Sequence, residues 1–196
     1  MGDIKSALEI ALEKAEQIGR ATEEEKLEWK YVPEGEKLAS NYMKEESNLT
    51  AELGKYGEKL REYVVKGAQD TLIRQINLPR NDQDRRNNKK AMDGLKEIKK
   101  DKAAVENVFS KVRRIFDHYA TQGEQQRKQT YESLKAELTA RFQQAMQQQT
   151  GSSTAFNINV ERQPQFQEEW RRLLSQLDLQ YTKLLDEYKH ELAAIV

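Results

Sequence analysis

From Ala91 to Tyr119 one spacing governs the chain: Ala91, Leu95, Ile98, Lys102, Val105, Phe109, Val112, Phe116 and Tyr119 follow each other at alternating steps of four and three. Such steps put side chains on one side of an α-helix, and a seam of this length needs another helix to cover it. The register slips between Gln122 and Gln126 and resumes at Tyr131, Leu134 and Leu138, which predicts a stutter or local break there. A second seam, Leu49, Leu53, Tyr56, Leu60, Tyr63 and Gly67, precedes the first.

Only three prolines, Pro33, Pro79 and Pro164, punctuate the 196 residues. Each removes a backbone donor and fixes φ, so the natural reading sets all three at helix edges. This divides the chain into four helices, about 3–31, 34–77, 82–148 and 165–194, with a loop at 150–163. The first carries Ile4, Ala7, Leu8, Ala11, Leu12, Ala15 and Ile18 on one face after Asp3 as N-cap. The last carries Phe166, Trp170, Leu173, Leu177, Tyr181, Leu184, Tyr188 and Leu192. Phe156, Ile158 and Val160 alternate, but a lone strand is unstable, so an ordered loop is expected.

The expected fold is all-α: one elongated unit, an antiparallel helical hairpin forming a coiled-coil stalk on a three-helix base. Folding back across Leu78-Pro79 sets Pro33 level with the register slip and Gly67 opposite Ala91 and Met92. Composition agrees with thin helical packing, since 37% hydrophobic residues is too few for a large central core.

Charge is balanced overall, with 33 basic and 33 acidic residues, but residues 80–128 carry 14 basic against 8 acidic, a net of +6. The excess concentrates at the expected hairpin tip, in Arg80, Arg85, Arg86, Lys89 and Lys90. Nucleic-acid binding would want a strongly basic pI and interleaved aromatics for base stacking. The pI is about 6.8 and no aromatic lies between Tyr63 and Phe109, so a solvated tip is favoured over a contact to an acidic partner, and both over nucleic acid. Trp29, Tyr31, Tyr119 and Tyr188 are expected to converge at the junction of base and stalk, as packing rather than as a ligand pocket.

No catalytic constellation is legible. Glu187 and His190 have the spacing of a di-iron half-site, but His118 follows Ile115 by three residues and supplies no second half. Absence of cysteine excludes disulfides, thiolate metal sites and cysteine nucleophiles. Gly2 with Ser6 fits a myristoylation pattern and Asn48-Leu49-Thr50 a glycosylation sequon, and both have simpler readings, as helix-start residues and as chance. The acids of MGDIKSALEIALEKAE stand where a signal peptide would be basic and then apolar. The expectation is a cytoplasmic, non-enzymatic scaffold or adaptor without metal or cofactor. It would dock a protein partner or self-associate, with a membrane-surface role or weak nucleic-acid binding through the tip as the alternatives.

Overall fold

The computed structural model describes residues 21–150 and 159–195. Every regular element among them is a helix. The expected stripe at Ile4–Ile18, the Gly2/Ser6 pattern, and Phe156 and Ile158 lie outside the described residues. The chain divides into two compact units, one of residues up to Ile76 with Arg86–Lys102 and Ile195, the other of Asn77–Arg85 with Ala103–Ala194.

The first unit holds α1 (Glu23–Met43), α2 (Leu49–Leu53), α3 (Glu58–Gln75) and most of α4 (Asp82–Ile98). Thr22 starts α1 with a reciprocal cap: its hydroxyl accepts from the Glu25 N–H at 3.2 Å, and the Glu25 carboxylate accepts from the Thr22 N–H at 2.7 Å. A helix running unbroken over 3–31 is therefore corrected, because the chain is non-helical at Ala21–Thr22. The boundary at Pro33 is corrected as well: Pro33 sits inside α1. Its ring faces solvent, and the carbonyl it leaves unpaired four residues back belongs to Trp29, which is 51% exposed, so water can take the missing donor's place.

What stops the helix comes ten residues later. Glu45 adopts φ 67°, and the N–H groups of Glu46 and Glu45 return to the carbonyls of Asn41 and Tyr42, each at 3.0 Å. This is a left-handed helix terminus built on glutamate instead of the usual glycine. Asn48 then caps α2, its side-chain oxygen accepting from the Ala51 N–H at 3.0 Å, which explains the sequon residue as a helix start. Gly57 is the N-cap of α3. The expected helix 34–77 is thus three segments.

α1 and α3 cross with their backbones in contact at two glycines. A Cβ on Gly35 would overlap the Val64 carbonyl, and one on Gly67 the Val32 carbonyl. Gly67 therefore faces α1, not Ala91 and Met92. Ala39, Val64, Ala68, Leu72, Ala91 and Leu95 are fully buried around this crossing. Gly94 packs α4 against Tyr42 and Leu72, and the Tyr42 hydroxyl donates to the Lys90 carbonyl at 3.3 Å.

The second unit holds all of α5 (Lys102–His118) but its first residue, a π-helical turn (Tyr119–Gly123), α6 (Glu124–Thr150), a 3₁₀ turn (Val160–Arg162) and α7 (Pro164–Ala194). The expected helix 82–148 is broken at Lys99–Asp101, and Lys102, placed on the seam by its spacing, is exposed at the start of α5. The register slip has a physical form in the π turn, where each extra residue per turn shifts the apolar face. Beyond it, Leu134 and Leu138 pack with Val160 and Phe166. Tyr131 stands edge-on to both Phe166 and Trp170, with centroids 5.2 and 5.1 Å away. On α7 the buried residues are Phe166, Asp178, Leu185 and Leu192, so the expected Leu184 is replaced by Leu185.

Candidate functional site

The basic stretch meets carboxylates at three of its positions. The Arg80 guanidinium reaches Asp178 at 2.9 Å, Arg85 faces Asp82 at 3.4 Å, and Lys90 faces Glu45 at 3.1 Å while lying over the Tyr42 ring. Arg86 and Lys89 are exposed. Within the first unit Tyr31 stands edge-on to Tyr56, 6.3 Å between centroids, and Trp29 is left half exposed. Within the second, Tyr119 packs on Tyr181 at 5.1 Å and Tyr188 lies beneath Lys111.

A polar cluster of the second unit surrounds the π turn, and its centre is a residue that sequence reasoning missed. Asp178 is 5% exposed. One carboxylate oxygen accepts from Arg80 at 2.9 Å, the other from the Tyr119 hydroxyl at 3.1 Å. Burial, followed by the nearby Asp178 charge, raises the Tyr119 hydroxyl's pKa. For Arg80, burial opposes the charge, but hydrogen bonds with Tyr119 and Asp178 outweigh it and raise the pKa further. Arg127 lies 4.0 Å above the Tyr119 ring and donates to the Tyr119 carbonyl at 3.1 Å, taking up a backbone acceptor at the π turn. Gly123 makes room, since a Cβ there would stand 3.1 Å from both Arg127 and the Tyr181 hydroxyl. His118 Nδ1 completes the cluster, 2.9 Å from that hydroxyl.

Each Asp178 oxygen thus accepts one hydrogen bond, charge-assisted from Arg80 and neutral from Tyr119. A shallow cavity of about 300 Å³ adjoins Arg80, lined in part by Asn77, Asp84, Thr182, Asp186 and Lys189. Among the described residues no group of three His, Asp or Glu side chains could hold a metal ion.

Lys99, in the charged run KKDK, is 4% exposed. Its ammonium donates to the Ile195 carbonyl. Burial lowers its pKa to about 8 from 10.5, offset only partly by Asp70. Below about pH 8 the native state therefore carries a charge that burial disfavours, while the unfolded chain keeps its proton up to the ordinary lysine value. Stability withheld by Lys99 at pH 7 should return as pH rises from about 8 to 10.5. In urea unfolding, Lys99→Met should gain on the parent by about 2–3 kcal/mol at pH 7, and this advantage should shrink towards pH 10. A pH-independent difference would show that the ammonium is not the cause.

Among the described residues no helix is long and apolar enough to cross a membrane. Residues 50–194 match the model of a family described as a family of unknown function, DUF6657. That span includes the whole Arg80–Tyr119–Asp178 cluster and leaves α1 outside. No curated protein and no solved structure matches the chain.

Proposed function

The chain belongs to DUF6657, and we propose that this member is a non-enzymatic cytoplasmic scaffold or adaptor, which docks an amphipathic helix of another protein through a coiled-coil-type face of α7. The observation that carries this reading is the second apolar stripe of that helix. Phe166, Leu185 and Leu192 are buried, whereas Leu177 is only partly covered and Leu184, a step of seven on, is 39% exposed. Leu179 is 50% exposed on the same helix. Steps of this kind describe the seam into which a partner helix sets its side chains. The ion pairs of Arg80, Arg85 and Lys90 work against the nucleic-acid alternative, because a cation already facing a carboxylate contributes less to a phosphate contact.

The test is affinity purification of the tagged chain from its host, nuclease-treated, in parallel with a Leu177→Ser/Leu184→Ser variant whose circular dichroism is unchanged. A stoichiometric protein that co-elutes with the parent and falls at least about tenfold with the variant is expected. If that protein is a second copy of the chain, the stripe is a self-association seam. Equal recovery on both columns would contradict docking through α7.

A further inference from the structure

In the first unit the non-helical residues after α4 and the outer side of α3 enclose a cleft of about 610 Å³. Arg61, Lys66, Lys99 and Lys100 line it against two carboxylates, Glu58 and Glu62, with Val65 and Ile98 as apolar surface. Lys66 is already neutralised by an ion pair with Glu28. Arg61, Lys99 and Lys100 then face Glu58 and Glu62, three positive charges against two negative, an excess of one.

Lys99 distinguishes this cleft from an ordinary charged surface. A long cationic side chain normally keeps its ammonium in water, with only its methylene stem buried. Here the residue is 4% exposed, and among the described residues its ammonium, which has three N–H donors, has one hydrogen-bond acceptor, the Ile195 carbonyl. Asp70, the carboxylate that acts on it, forms no ion pair with it and works only through space. Among the described residues the group has given up water without gaining a full set of partners, and it borders an open space beside two apolar side chains. An anion with a short hydrocarbon part would supply what is missing in both respects.

We propose that this cleft is a binding site for a small organic carboxylate, its carboxylate held by Lys99 with Arg61 and Lys100 adding to the field, and its hydrocarbon part lying on Val65 and Ile98. The site goes beyond the docking face of α7 and does not depend on it. Binding places a negative charge beside Lys99, so it must favour the protonated amine and take up protons at slightly alkaline pH.

Hexanoate is a suitable probe and hexanol its uncharged control. With lysine Cε labelled by carbon-13, Lys99 of the whole protein should titrate near pH 8, and saturating hexanoate should move the midpoint up by about one unit or more. Val65 and Ile98 methyl signals should shift saturably with hexanoate, and hexanol should bind at least about tenfold more weakly. Lys99→Met should lose the saturable response while Lys102→Met, at an exposed position outside the cleft, keeps it. The titration of the parent protein decides the matter independently of that variant. A Lys99 midpoint unmoved by about 10 mM hexanoate, or hexanol binding as well as hexanoate, would overturn the proposal.

Discussion

Replacing Gly67 with alanine is expected to destabilise the first unit by about 3 kcal/mol or more, at the upper end of what overpacking does. The added methyl would overlap the Val32 carbonyl and press on the Glu36 N–H, so a backbone has to move and no side chain can rotate out of the way. Gly35→Ala meets the Val64 carbonyl in the same manner and should behave alike. Gly54 is the internal control. Its φ of −66° suits any residue and its added methyl would meet nothing closer than 3.4 Å, so Gly54→Ala should be neutral or stabilise by up to about 1 kcal/mol. Urea unfolding followed by circular dichroism separates the cases, and a Gly67→Ala protein as stable as the Gly54→Ala one would show that α1 and α3 do not cross at these residues.

The second large effect concerns Arg80. Removing it leaves the buried Asp178 carboxylate with the Tyr119 hydroxyl as its remaining side-chain donor among the described residues. Breaking a buried pair from one side usually costs about 3–5 kcal/mol. The Arg80 side chain is 62% exposed, so water can partly replace it, and Arg80→Met should cost about 2–3 kcal/mol. Removing the charge at the other end changes the outcome, because nothing ionic is then left buried. The double variant Arg80→Met/Asp178→Leu should return to within about 1 kcal/mol of the parent, a coupling that a double-mutant cycle reads directly. Additive losses would mean that the two groups do not act as a pair.

Both predictions rest on residues that the sequence presents quietly. The periodic positions were legible: the seam from Ala91 to Tyr119 is largely buried, and the register slip marks the π turn. The punctuation was not, because caps and not prolines set the helix ends around Pro33. Pro33 is tolerated inside α1 on a solvent-facing side, whereas the true ends are set by Thr22 with Glu25, by Glu45 in the left-handed region and by Asn48. Thr22 with Glu25 and Asn48 are readable signals once the capping pattern is sought before the proline pattern. Glu45 is not, since nothing in its side chain favours a positive φ.

The polar interior shows a similar division. Asp178, Leu185 and Leu192 recur at sevens, a spacing that would have moved the buried stripe of α7 and exposed the anomaly of a carboxylate on it. Lys99 follows Leu95 by four residues and so continues the buried face of α4 just past its end. In both cases the residue type argued for solvent and the period argued for burial, and the period prevailed. Arg80, placed by the sequence at a solvated tip, gains its partner from a residue 98 positions away. No local pattern encodes such a pairing.

We propose that α7 presents its partly covered stripe to another protein. A photo-reactive amino acid placed at Leu184, irradiated in the native host, tests this most directly, with the same group at Arg171, exposed on another face of α7, as the comparison. One dominant protein adduct is expected from position 184 and little or none from 171. Adducts of equal yield from both positions, or none from 184, would contradict it.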